Sequence, residues 1–66
     1  MSDIDELKAE IRKLSAKAMK MKLNLHDLSE ELPLNWTTII SVAQETYDAY
    51  AALEAARKKL KELEAA

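Results

Sequence analysis

His26 is the only histidine in this 66-residue chain, and its side chain is the one most able to hold a ligand. Asp27 follows it directly and Glu30 lies four residues on. On a helix that i, i+4 spacing brings His26 and Glu30 to one face. An imidazole with carboxylates suits a divalent late transition metal. One histidine and no cysteine cannot close a zinc site within a single chain. The metal-binding or metal-delivery reading therefore needs paired His26 across a dimer, with Glu30 or Asp27 completing each half. The structural alternative is a half-buried interface histidine bonded to Glu30 or to backbone. Ser15, Ser29 and Ser41 have no base at a telling spacing. Glu30 and Glu31 read as a solvated helix end. The chain is expected not to be an enzyme, and no cofactor is implied beyond that divalent metal at His26.

The element that must carry His26 is legible from periodicity. Ile4, Leu7, Ile11, Leu14, Ala18, Met21, Leu25, Leu28 and Leu32 follow an unbroken 3-4 spacing. That is a heptad seam, so the segment is one helix packed against another. A matching seam follows: Ile39, Val42, Thr46, Ala49, Leu53, Ala56, Leu60 and Leu63. Pro33 disfavours helix at Leu32 and removes a donor, so it ends the first helix. The reading is one all-α domain over residues 1–66. It is an antiparallel two-helix hairpin, with a helix at about 4–31, a turn at about 32–36 and a helix at about 37–64. Ser2 or Asp3 is placed to cap the first helix, and Asn35, Thr37 or Thr38 the second. Asp5 and Glu6 suit the positive end of the first helix; Arg57, Lys58, Lys59 and Lys61 are expected in the last turns of the second. Eight layers, from Leu32 with Ile39 to Leu7 with Leu63, fit one register without a skip. Small residues face large ones in the middle layers, as in Ala18 with Leu53 and Met21 with Ala49. Lys8 then faces Glu64, and Glu10 faces Lys59.

Off the seam, a second apolar stripe is confined to the half near the turn. Ala16, Met19, Leu23 and His26 form it on the first helix, and Trp36, Ile40, Ala43, Tyr47 and Tyr50 on the second. Toward the termini the same faces become charged, with Arg12, Lys58 and Lys61. Leaving the stripe wet forfeits about 1.5–3 kcal/mol for each large side chain. The expected solution is a homodimer joined through Met19, Leu23, Ile40, Ala43, Tyr47 and Tyr50. Two hairpins overlapping by their turn-proximal halves make a rod-like partial four-helix bundle. The sharper alternative is that this face docks another protein, and a dimer can still leave Trp36 exposed.

Size and composition agree. A chain this short buries little surface, and without cysteine the help available is a partner or a second copy. With no glycine, no position is expected to adopt positive φ and phosphate-cradling loops are absent. Arg12, Lys13, Lys17, Lys20 and Lys22 form a basic run that could contact RNA or an acidic protein. Glu54 level with Lys17 and Asp48 level with Lys22 balance it, so nucleic acid is disfavoured. The acidic start is not a signal peptide. No run nears the roughly 20 apolar residues that span a bilayer, so a cytoplasmic protein with no membrane contact is expected.

The stretch Lys20-Met-Lys-Leu-Asn-Leu-His-Asp-Leu-Ser-Glu-Glu-Leu-Pro, followed by Trp36, resembles the Rop-like proteins of nitrogen-fixation gene clusters. Those are short helical hairpins described as associated with the nitrogenase cluster-carrier protein X. The family's Leu-His-Asp-Leu matches Leu25, His26, Asp27 and Leu28, and its Leu-Pro and Trp match Leu32, Pro33 and Trp36. Thr46-Tyr47-Asp48-Ala49-Tyr50 continues the likeness. The resemblance implies a cytoplasmic accessory role in nitrogen fixation without enzymatic activity. The link to the RNA-binding Rop protein is one of fold, so RNA binding does not transfer. The leading expectation is a dimeric interaction protein that assists nitrogenase assembly or cofactor maturation. Trp36, His26, Asp27 and Glu30 form its partner surface.

Overall fold

The computed structural model describes residues 3–65. Helix α1 spans Asp3–Glu31 and helix α2 spans Ile39–Ala65, with a short 3-10 helix at Trp36–Thr38 between them. There is no strand among the described residues. Lys8 Nζ lies 4.0 Å from Glu64 Oε2 near the free ends. Further along, the Thr46 hydroxyl reaches the Met21 carbonyl at 3.3 Å. The helices therefore run antiparallel in the register that the seams dictate. The fold is the all-α helical hairpin expected from periodicity.

The molecule measures 49 × 15 × 13 Å, with a radius of gyration of 15.1 Å. A compact domain of this length would have a radius near ~11 Å. The chain is thus a rod two helices thick, and its interior is a single line of side chains. Among the described residues only Leu7, Ala18, Leu28, Ala49 and Leu53 are buried. Ala18, Ala49 and Leu53 form the centre, flanked by the half-buried Ile11, Leu14 and Met21. The alanines bring the helices close, and Leu53 fills the space they leave. This is the small-against-large layering that the register required.

The ends depart from the sequence reading. α1 already includes Asp3, so Asp3 is an acidic first-turn residue together with Asp5 and Glu6. Ser2, the other capping candidate, lies outside the described residues. Helix α2 extends to Ala65 and has no basic residue in its last turn. Arg57, Lys58, Lys59 and Lys61 sit further back, beyond most of the dipole's reach. Glu10 and Lys59 line one cleft with Leu7 and Leu63 but form no ion pair. The turn differs most. Asn35 adopts φ 60°, ψ 21°, and its side chain makes no capping bond. Asparagine tolerates this left-handed region better than most residues, so the lack of glycine did not exclude it. The Leu32–Pro33 peptide is cis. Instead of a side-chain cap from Asn35, the Thr38 hydroxyl donates to the Asn35 carbonyl at 2.7 Å. The Thr38 N–H donates to the same oxygen at 3.0 Å.

Candidate functional site

Off the seam, Met19, Leu23, His26 and Glu30 follow one another along α1 at helical spacing. Trp36, Ile40, Ala43, Tyr47 and Tyr50 do the same from the 3-10 helix into α2. Nothing in the chain covers them. Ile40 is 79% exposed, Tyr47 72%, Trp36 64%, Leu23 55% and Met19 53%. Tyr50 is exposed to a lesser degree, and Ala43 is half-buried. A folded chain does not usually leave so many large apolar groups contiguous and wet.

The stripe ends toward the turn in a polar group. His26 Nε2 stands 3.4 Å from Glu30 Oε1. Its Nδ1 stands 3.7 Å from Asp27 Oδ1. The imidazole thus lies between two carboxylates, both on its own helix, and all three side chains face solvent. The Ser29 hydroxyl donates to the His26 carbonyl at 2.7 Å, so that backbone oxygen is also engaged. Within one chain His26 is exposed. Among the described residues no group of three or more His, Cys, Asp or Glu side chains is placed to hold a metal ion. A metal would need ligands from a second copy. Trp36 belongs to the same end of the rod, but no hydrogen bond ties it to the His26 group.

Two features of this end were missed in the sequence. Leu34, in the turn itself, is 69% exposed. A small apolar cleft of about 90 Å³ opens between the helices near the turn, lined by Leu25, Leu28, Ser29, Leu32 and Ile39. The available signal was a pair of leucines around Pro33, where turns ordinarily carry polar residues.

Charge divides the rod. Between Lys22 and Arg57 there is no lysine or arginine, while Asp27, Glu30, Glu31, Glu45, Asp48 and Glu54 are all acidic. The basic run of α1 begins where that segment ends. Among the described residues Lys17 forms no ion pair with Glu54, nor Lys22 with Asp48, so any balance there is one of level and not of contact. Asp48 instead accepts a hydrogen bond from Gln44 Nε2 at 2.8 Å. No helix among the described residues is long and apolar enough to cross a membrane.

Two antiparallel helices joined by one turn, with apolar side chains on an inner seam and again on an outer stripe, define a two-faced helical hairpin. The chain belongs to the Rop-like family, whose model matches residues 2–65. It is 69% identical to a UPF0437 protein of Azorhizobium caulinodans, over 98% of this chain and 94% of that one. A Frankia alni relative, described as a UPF0437 protein in the nifX-nifW intergenic region, is 56% identical over 62% of this chain and 50% of its own length. Among solved structures, the NMR structure of a Northeast Structural Genomics Consortium target, McR1, has a TM-score of 0.91 and 45% identity. That match covers 98% of this chain and 92% of the other.

Proposed function

We propose that this chain is a non-enzymatic accessory protein of nitrogen fixation that works by binding other proteins. The observation that carries the reading is the uncovered stripe of Met19, Leu23, Trp36, Ile40 and Tyr47. In this reading Met19, Leu23, Ile40 and Tyr47, with Ala43 and Tyr50, pair two hairpins into a partial four-helix bundle and leave Trp36 exposed. The turn end, with Trp36, His26, Asp27 and Glu30, docks a component of nitrogenase assembly or cofactor maturation in the cytoplasm. The Frankia alni relative supports the setting, because it is named for the nifX-nifW intergenic region. The acidic turn half repels phosphate, so RNA is a poorer fit than protein. Deleting the gene in a nitrogen-fixing host should slow growth on dinitrogen and leave growth on ammonium unchanged. The wild-type gene should restore growth, and a Trp36→Ala copy should not. Equal growth of the deletion strain on both nitrogen sources would falsify the role.

A second reading is favoured by the His26–Glu30 approach at 3.4 Å. Two copies, each offering an i, i+4 histidine–glutamate pair, would hold one divalent metal between them. Zinc or nickel titration should then shift NMR resonances only around residues 26–30 and tighten self-association, and His26→Ala should remove both effects. Spectra that do not move on adding metal dismiss this reading.

A further inference from the structure

We propose that the turn end takes a lysine- or arginine-bearing amphipathic helix of another protein. The inference rests on the interaction-module reading and specifies its partner. Three observations converge on it. First, the last turns of α1 carry Asp27, Glu30 and Glu31 with no basic residue in the last turn. Carboxylates there face the negative end of the helix dipole, which disfavours them. The first turn of α2, where the dipole would welcome acids, has none. The charge is thus placed against local stability, an arrangement found where a site serves a ligand. Second, the sequence places no lysine or arginine beside these acids, Lys22 and Arg57 being the nearest. Third, the acids accompany apolar anchors. Leu34 and Trp36, both exposed at the same end of the rod, supply them.

Together these match one kind of occupant. An amphipathic helix laid on such a surface presents apolar anchors at i, i+3 and i+4 and sets its charges alongside them. Tryptophan at the centre of such a contact carries a large share of the binding. Carboxylates at the same end select a basic helix and steer its approach. The same charge repels anionic membranes and nucleic acid, to which an exposed tryptophan could otherwise attach.

Trp36 is the only tryptophan, so its fluorescence reports this end of the molecule alone. The probe is an 18-residue helical peptide of leucine and lysine, with a leucine–glutamate peptide of the same pattern as control. The leucine–lysine peptide should shift Trp36 emission to the blue and bind at least tenfold tighter than the control. Its binding should weaken several-fold between ~50 and ~300 mM salt. The triple variant D27N/E30Q/E31Q should lose at least tenfold in affinity, keep its helical circular dichroism and melt a few degrees higher. The reversed variant D27K/E30K/E31K should prefer the glutamate peptide. Equal binding of both peptides, undiminished binding by the triple variant, or a Trp36 shift with phosphatidylglycerol vesicles in place of the peptide each overturns the proposal. Sedimentation equilibrium of the triple variant separates this test from self-association. A wild-type monomer that still binds the basic peptide through these carboxylates removes the dimer and keeps the proposal. A dimer indifferent to the peptide does the reverse.

Discussion

Leu53→Ala should abolish most of the helical circular dichroism at 25 °C and micromolar concentration. Leu53 is one of five buried apolar side chains and packs against Ala18 and Ala49 at the centre of the rod. Removing a buried leucine side chain costs about 2–5 kcal/mol, through lost transfer energy and the cavity left behind. A single core of this size supplies only about 3–5 kcal/mol of net stability. One substitution therefore consumes most of what holds the hairpin together. The layer offers its own control. Ala18→Leu alone overcrowds a core position only 1% exposed and should destabilise by about 1–3 kcal/mol. Combined with Leu53→Ala, it moves the large residue to the other helix and should recover much of the helicity. Thermal melts of the two single variants and the pair check this. A Leu53→Ala protein as stable as wild type would mean the Ala18–Leu53 layer is not the core.

Ile40→Asp together with Tyr47→Asp should weaken self-association at least a hundredfold. Both residues lie on the stripe and are more than two-thirds exposed in the single chain. Burying them against a second copy contributes roughly 3–6 kcal/mol in total. Placing two carboxylates in that contact adds their desolvation cost. Sedimentation equilibrium should find wild-type dimers and variant monomers over the same concentrations. Because pairing favours the folded state by mass action, wild-type melting should rise with protein concentration, and the variant's should not. A wild-type protein that sediments as a monomer at ~100 μM, far above a useful dimer's dissociation constant, removes the four-helix bundle from the account.

How much of this was legible depended on whether the feature repeats. The seams recur over both helices, so an error at one position is corrected by its neighbours. The Ala18–Leu53 layer and the Lys8–Glu64 approach follow from that regularity. The turn has no repeat to average over. The left-handed Asn35 depends on the φ/ψ tolerance of one residue. The 3-10 geometry at Trp36–Thr38 depends on a few local hydrogen bonds. Lys22 and Asp48, level in that register, form no ion pair for a third reason. Register sets their level along the rod, but long side chains choose among partners, and Gln44 on the same helix is nearer to hand. At the candidate site, the His26–Glu30 approach was visible because it is a helical spacing. The cleft between Leu28 and Ile39 was not, because it arises from how two helices diverge around the turn.

The rod's length has a bearing on how a partner is engaged. The turn end lies at one extreme of a 49 Å molecule. If two copies pair about a two-fold axis perpendicular to the rod, their turn ends point in opposite directions. Each can then hold its own target without crowding the other. The pair then carries two docking points within its span, and a target that is itself oligomeric would be held at both. Its grip would exceed that of one hairpin by the effective concentration the span permits.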